Sequence, residues 1–302
     1  MAPLFSVVIP TYNHGHFIGR CLSSVMSQSF TDWEAIVINN YSEDNTIEVV
    51  EGFKDERIRL VNFRNNGIIA ASRNEGIRLA RGEFVAFLDS DDWWYPAKLE
   101  RVMPHVVNAD VVYHDLDIHS VDGRKEAARD WRRQLTRPVF VDLMVNWNTL
   151  PNSGVVVRRS ILEKVGGLTE DRTLNTFEDA ELWLKIARVT DRFIYVAEKL
   201  GAYWVGEGNL STFNERHIHC VQYIFDRYLD MLDEKDRRKA AAQMSYITGR
   251  IRQKTGSAGQ ALRLFSVSAR SGTRTIRLKS LLLIPVCCLE AIVQSLRRKG
   301  VR

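Results

Sequence analysis

The sequence predicts an α/β fold with a mostly parallel central sheet and a helical C-terminal appendage. In the first third of the chain, runs rich in β-branched and aromatic residues alternate with segments whose apolar residues have helical spacing. Strands that alternate with helices favour parallel pairing, because each helix returns the chain to the same edge of the sheet. The predicted strands are residues 5–9, 33–38, 58–62 and 83–88, and the predicted helices are residues 17–26, 47–53 and 69–80.

The middle of the chain continues this pattern less regularly. Residues 115–138 are polar and lack periodicity, which predicts a long loop. Ser160 and Glu163 then have the spacing of a capping box, which predicts a helix that ends at Gly166 and Gly167. Further strands are predicted over residues 111–114, 154–157 and 193–196, and a further helix over residues 178–189.

Length and composition predict one core domain with a smaller appendage. The chain has 302 residues, of which 45% are hydrophobic and 26% charged, so it can bury a core and lacks the bias of a disordered protein. Residues 213–270 show helical periodicity and contain no proline. We therefore expect a core domain over residues 1–212 and a helical region over residues 213–302.

The C-terminal end is strongly basic. From Arg270 onward there are eight lysines and arginines and a single acidic residue, Glu290. The apolar run of 13 residues at 281–293 is shorter than the ~20 residues that a membrane span needs. An apolar run between basic residues is typical of an interfacial helix, so residues 278–302 are predicted to bind an anionic membrane surface. Nucleic acid binding is the alternative, and the apolar residues disfavour it.

Cysteine usage and the N-terminus predict the compartment. The cysteines are Cys21, Cys220, Cys287 and Cys288, which form neither a CxxC pair nor a zinc-like spacing. The first residues lack the pattern of a secretory signal. We therefore expect a cytoplasmic protein, peripheral on the inner face of the cell membrane.

An acidic cluster follows the fourth predicted strand. Asp89, Asp91 and Asp92 place three carboxylates where parallel strands end, which is the edge at which such sheets bind ligands. Carboxylates at this density favour a bound cation, and Mn²⁺ or Mg²⁺ would leave coordination positions for the phosphates of a nucleotide. A solvated turn in which one aspartate caps the next helix is the alternative.

Five short motifs stand in one order along the first two thirds of the chain. They are Ser6-Val-Val-Ile-Pro-Thr-Tyr-Asn13, Arg73-Asn74, Phe87-Leu-Asp-Ser-Asp-Asp-Trp93, Gly166-Gly167 and Phe177-Glu-Asp-Ala-Glu-Leu-Trp-Leu184. In this order and spacing they resemble the family 2 inverting glycosyltransferases of the GT-A fold. The resemblance implies transfer of a sugar from a nucleotide diphosphate sugar to a hydroxyl of a glycan or lipid-linked acceptor, as in cell-surface polysaccharide synthesis.

The resemblance also implies roles for individual residues. Asp89 and Asp91 match the DxD motif, in which the first aspartate contacts the ribose side of the donor and the second binds the metal. Both are candidate metal ligands, and Arg73 is expected to stabilise the donor phosphates or the sheet edge. The candidates for binding the nucleotide sugar are Pro10, Thr11, Tyr12, Asn40, Arg73, Asp89 and Ser90.

An acidic pair of the family matches Glu178 and Asp179. The resemblance implies that these two residues are catalytic and that Asp179 is the general base that deprotonates the acceptor hydroxyl. A carboxylate can do this if its surroundings raise its basicity. The alternative is structural, because Thr176 and Asp179 have the spacing of a helix cap.

Two positions depart from the family pattern. Asn39, Asn40 and Tyr41 stand where relatives commonly have two aspartates and a glycine. Asn40 can accept a hydrogen bond from uracil but can also donate one, and a UDP-sugar is the predicted donor. Gly206 stands where many relatives have a histidine that binds metal or diphosphate, and Glu207 is a candidate substitute.

Other classes of protein lack their motifs in this chain. A nucleotidyltransferase normally has a glycine-rich phosphate loop, which residues 10–15 do not form. The kinase, dehydrogenase and hydrolase signatures are also missing. The remaining alternative is a catalytically inactive module recruited to the membrane, which the departures at Asn40 and Gly206 motivate. Asp91 and Asp179 favour the enzyme.

Overall fold

The computed structural model describes residues 2–120, 133–147, 150–206 and 215–298. The chain divides into two compact units, of which the first comprises Met1–Leu135 and Thr149–Asn209. The second comprises Thr136–Asn148 and Leu210–Arg302. Residues 136–148 thus belong to the second unit, although the sequence suggested one domain over residues 1–212.

The first unit is built on one sheet of eight strands. They are β1 Phe5–Thr11, β2 Trp33–Asn39, β3 Ile58–Asn62, β4 Phe84–Phe87, β5 Trp93–Trp94, β6 Val111–Ser120, β7 Val155–Arg158 and β8 Phe193–Val205. Their order in the sheet is β3-β2-β1-β4-β7-β6-β8-β5. The strands β1 to β4 pair in parallel, whereas β7 is antiparallel to both β4 and β6. This mostly parallel sheet confirms the predicted fold class.

Helices connect these strands and make up most of the second unit. They are α1 Gly15–Met26, α2 Thr46–Glu51, α3 Ile69–Leu79, α4 Lys98–Val106, α5 Val139–Asn146, α6 Arg159–Val165, α7 Glu178–Ala187, α8 Glu215–Tyr228, α9 Glu234–Lys254, α10 Ala258–Ser271 and α11 Arg274–Arg298. The strands β1 and β2 are buried along their whole length, as expected of parallel strands covered on both faces. Because β1, β2 and β4 are parallel neighbours, the loops that follow them leave the sheet at one edge.

Strand β6 is longer than the sequence predicted. It continues to Ser120 through the segment that we expected to be a loop. The Asp115 carboxylate accepts a hydrogen bond from the Tyr195 hydroxyl at 2.6 Å, and Asp117 accepts one from Tyr95 at 2.8 Å. Acidic residues can stand in this strand because other elements supply donors to them.

Two helix ends also differ from expectation. Helix α6 begins at Arg159 without a side-chain cap, so the capping box predicted from Ser160 is wrong. The helix ends as predicted at Gly166, which has a left-handed conformation with φ 73°. Helix α11 continues through Pro285, whose side chain is exposed. The carbonyl group that Pro285 leaves without a partner can therefore reach solvent.

In the second unit, α10 packs against α9 and α11. Ala261 and Phe265 of α10 form a small apolar core with Cys287 of α11. Within the described residues, no helix has the length and hydropathy that crossing a membrane would require.

Gly76 sets how closely α3 approaches β1. A Cβ atom there would lie 2.3 Å from Cγ1 of Val8, which is fully buried. We expect Gly76→Ala to lower the free energy of unfolding by about 1–3 kcal/mol, because Val8 or the helix must move. Gly19→Ala in α1 is the matched control, since its Cβ would lie 3.4 Å from Val49 and alanine favours helix by about 1 kcal/mol over glycine. Urea unfolding measures both, and equal effects would contradict the close approach.

Candidate functional site

The loops after β1 and β2 are joined by hydrogen bonds. The backbone N–H of Asn13 donates to Ser42 Oγ at 2.8 Å, and that of Gly15 donates to Asp44 Oδ2 at 2.9 Å. A Cβ atom at Gly15 would lie 1.9 Å from Oδ1 of Asn45, so a larger residue there would displace the Asn45 side chain. The two loops therefore form one continuous surface at the carboxyl edge of the sheet.

The segment Asp89–Asp92 follows β4 and is held from the side of α1. His14 Nδ1 lies 2.7 Å from Ser90 Oγ, and Arg20 Nη2 donates to the backbone carbonyl of Asp91 at 2.7 Å. The Arg20 guanidinium also stacks 3.8 Å above the ring of Trp93. No motif in the sequence assigns a role to His14 or Arg20, because their contacts join parts of the chain that are far apart.

Asp92 has a structural role in this segment. Its buried carboxylate accepts hydrogen bonds from Ser153 Oγ at 2.5 Å and from the backbone N–H of Trp204 at 2.9 Å. Ser153 Oγ in turn accepts from the backbone N–H of Asp89 at 3.0 Å, and Asn152 Nδ2 donates to Asp89 Oδ1 at 3.0 Å. Asn152 and Ser153 thus fix both ends of the acidic segment, and no motif spacing reveals them in the sequence.

Arg73 connects the acidic segment to the acidic pair. Its side chain is 4% exposed, and its guanidinium forms ion pairs with Asp89, at 2.6 Å, and with Glu178. Burial lowers the pKa of Arg73, but Asp89 and Glu178 raise it by more, so the net shift is upward. The guanidinium of Arg73 thus binds two carboxylates, and its contact with donor phosphates or the sheet edge stays a prediction.

Asp179 lies in the first turn of α7, beside Glu178. Thr176 was the candidate cap of this helix, but α7 has no side-chain cap and the backbone N–H of Thr176 donates to Glu178 Oε2 at 2.6 Å. Burial and then the charge of Glu178 raise the pKa of Asp179 to about 7, against the opposing effect of Arg73. Asp179 therefore has the raised basicity that a proton acceptor near neutral pH needs.

Asp91 has the chemistry of a metal ligand. Unlike Asp89, it has no ion-pair partner among the residues that the structure describes. Burial and then the charge of Asp89 raise the pKa of Asp91 to about 6. A cation would relieve this repulsion, and carboxylate oxygens are ligands that Mn²⁺ and Mg²⁺ prefer.

The described residues alone would not surround such a cation. Across the described ranges, no group of three or more His, Cys, Asp or Glu residues is arranged to hold a metal ion. One or two carboxylates would leave positions for phosphate and water, which is the usual arrangement for Mg²⁺. Asp89 already accepts bonds from Arg73 and Asn152, so Asp91 is the better ligand. Glu207, the candidate third ligand, lies outside the described residues.

The candidate nucleoside residues lie at the ends of β1 and β2. Pro10 and Thr11 are buried, Tyr12 is 50% exposed, and no described residue hydrogen-bonds to the buried Oγ1 of Thr11. The backbone N–H of Asn40 donates to the Thr11 carbonyl at 3.0 Å, which places Asn40 beside this group. Oδ1 of Asn40 accepts from the backbone N–H of Asn65 at 3.0 Å. One lone pair of that oxygen and the NH₂ group remain for a ligand.

Comparisons with known proteins identify the family. Residues 6–166 match the sequence profile of Glycosyl transferase family 2. An uncharacterized glycosyltransferase of Nostoc sp. is 33% identical over 171 residues, which are 53% of this chain and 52% of that protein. The UDP-Glc:alpha-D-GlcNAc-diphosphoundecaprenol beta-1,3-glucosyltransferase WfgD of Escherichia coli is 42% identical over 97 residues, which are 32% of this chain and 38% of that enzyme. The chain thus spans about half, or less, of the length of these curated relatives.

A solved structure shows the same fold. The crystal structure of S. aureus TarS 1-349 in complex with UDP matches with a TM-score of 0.68 and 20% identity, over 99% of this chain and 92% of that chain. The family profile covers more than half of the sequence, in the part that holds β1, β2 and the acidic segment. The chain therefore belongs to glycosyl transferase family 2 and has the GT-A fold.

Proposed function

We propose that the protein is an inverting, metal-dependent glycosyltransferase that moves a sugar from a UDP-sugar to a hydroxyl of a glycan or lipid-linked acceptor. The observation that carries the proposal is the bridge through Arg73, which joins Asp89 to Glu178. Through this bridge the candidate metal ligand Asp91 and the candidate base Asp179 belong to one electrostatic cluster. A glycosyl transfer needs both groups, one at the leaving diphosphate and the other at the incoming hydroxyl.

The nucleoside is proposed to bind between the ends of β1 and β2. The free lone pair and the NH₂ group of Asn40 can bond to a base or ribose, and the exposed ring of Tyr12 can stack on a base, whereas the buried hydroxyl of Thr11 would first need the chain around it to move. Uracil is proposed because TarS was crystallised with UDP and the E. coli relative is named for a UDP-Glc donor.

The proposed chemical step uses one carboxylate as the base and another as the metal ligand. Asp179 accepts the proton of the acceptor hydroxyl while the oxygen of that hydroxyl attacks the anomeric carbon. The bond from that carbon to the diphosphate breaks, the electron pair leaves with UDP, and in-line attack inverts the configuration. A cation at Asp91, when bound, supplies Lewis-acid stabilisation of the charge that develops on the diphosphate. Arg73 holds the two sides of the site together and lowers the basicity of Asp179.

The acceptor is proposed to be a saccharide of a cell-surface polysaccharide pathway. The E. coli relative is named for an acceptor sugar on diphosphoundecaprenol, which supports a lipid-linked acceptor. An enzyme that meets such a lipid would act at the membrane surface. We propose that it does so on the cytoplasmic face.

Nucleotide binding is expected to raise the melting temperature in a metal-dependent way. UDP with Mn²⁺, at about 100-fold above Kd, should stabilise the fold by about 2.7 kcal/mol, and GDP should stabilise it less. Asp91→Asn should remove the increment due to Mn²⁺. Asp55→Asn, a control at the opposite edge of the sheet, should keep it. Thermal-shift curves measure this, and equal stabilisation by UDP and GDP would refute the choice of uracil.

The rate of transfer is expected to depend on the ionisation of Asp179. Because the base must be deprotonated and its pKa is raised to about 7, kcat/KM at saturating Mn²⁺ should rise with pH through about 7. Asp179→Asn should lower kcat by about 10²–10⁴-fold at every pH while UDP still raises the melting temperature. Full transfer activity of Asp179→Asn would show that Asp179 is not the base.

Loss of the Arg73 charge is expected to affect both stability and the pH profile. Arg73→Gln leaves two carboxylates without their cation, so stability should fall by about 3–5 kcal/mol and the midpoint of the kcat/KM profile should move to higher pH. Adding Glu178→Gln should restore part of the stability, because one unpaired charge is gone. Arg78→Gln in the same helix, which breaks an exposed ion pair with Glu75, is the control and should leave the melting temperature unchanged. Identical melting temperatures for Arg73→Gln and Arg78→Gln would refute the bridge.

A further inference from the structure

Helix α11 has two opposite faces of different character. Ile276, Ser280 and Cys287 are buried on one face, where Cys287 packs against α10. The opposite face exposes seven large apolar side chains, which fall within an arc of about 140° at 100° per residue. We call these residues the α11 stripe: Leu278, Leu281, Leu282, Val286, Leu289, Ile292 and Val293.

The α11 stripe is too large to be scattered surface hydrophobicity. Leu282 and Leu289 are each 67% exposed, and the stripe extends over about 22 Å of helix at 1.5 Å per residue. A continuous apolar stripe of this length on a surface exposed to water marks an interaction site. Exposed Pro285 lies in the same arc, so the buried face of the helix keeps its regular packing.

Basic side chains border the α11 stripe. Arg274, Arg277 and Lys279 are exposed at its N-terminal end, and helical spacing puts Arg277 and Lys279 on opposite sides of it. From Arg270 to the C-terminus the sequence contains one acidic residue, Glu290, against eight basic ones. The surface around the stripe is therefore complementary to an anionic partner.

We propose that the α11 stripe binds the surface of an anionic lipid bilayer. The helix would lie in the plane of the headgroups, with the stripe against the acyl boundary and Arg277 and Lys279 on the lipid phosphates. A second copy of the chain fits less well. Self-pairing of this face would bring the basic borders together with Glu290 as the one acidic residue of the segment to offset them. The inference rests on α11 alone and is independent of the proposed sugar transfer.

Vesicle co-sedimentation of the full chain tests the proposal. The protein should bind vesicles of phosphatidylglycerol and phosphatidylcholine, and bind vesicles of phosphatidylcholine alone at least tenfold more weakly. The double variant Leu282→Glu/Leu289→Glu should lose at least tenfold in affinity for the anionic vesicles. Lys279→Gln should lose about fivefold, because each basic residue near the surface contributes on that scale. Val107→Glu, at an apolar residue of the first unit that is 72% exposed, is the matched control and should bind like the wild type.

Other outcomes would overturn the proposal. Circular dichroism must first show that each variant keeps the helical content and melting temperature of the wild type, as substitutions of exposed residues should. Equal binding of the wild type to both kinds of vesicle would show that the basic charges have no role. Equal losses of vesicle affinity in Val107→Glu and the double variant would show that the stripe has none. If the wild type does not bind vesicles but is a dimer, and the double variant is a monomer, the stripe is a self-association surface instead.

Discussion

Arg73 holds its guanidinium between two carboxylates that come from different parts of the chain. Asp89 follows β4, and Glu178 begins α7. A buried ion pair contributes little net stability compared with apolar packing, but removing one partner is costly because a charge is left in low dielectric. The interaction therefore acts less as a source of stability than as a constraint on geometry. The acidic segment and α7 must approach each other closely enough to share one cation.

Five carboxylates lie around this constraint, and they differ because their surroundings differ. Asp89 and Glu178 share the charge of Arg73, and Asp92 is bound by Ser153 and by the backbone of Trp204. Among the described residues Asp91 and Asp179 have no ion-pair partner, and burial raises the pKa of both, as it also raises the pKa of Asp92. Groups of one chemical type thus acquire different properties from desolvation and neighbouring charge, which is a general way for an active site to supply both a ligand and a base.

The sequence predicts the features that depend on short stretches of chain. Strand β1 can be recognised because a strand buried along its whole length is a mostly apolar run of residues. The acidic residues after β4 can be recognised because they stand together in one motif. It does not reveal the extension of β6, since Asp115 resembles a loop residue until Tyr195 supplies its donor. Asn152 and Ser153 are equally hidden, because their partners lie some sixty positions earlier in the chain. The helix caps expected at Ser160 and Thr176 are not formed: α6 begins one residue earlier, at Arg159, whose backbone N–H donates to the Glu83 carbonyl, and the backbone N–H of Thr176 donates to Glu178.

The hydrogen bonds between the loops after β1 and β2 have a thermodynamic consequence for any ligand that binds there. Asn13 and Gly15 are tied to Ser42 and Asp44 by bonds that need no nucleotide. Because these loops are already ordered, association loses little backbone entropy on this side of the cleft. Affinity for such a ligand should therefore be governed by its direct contacts. Loosening either loop should weaken binding through preorganisation even where no contact to the ligand is lost.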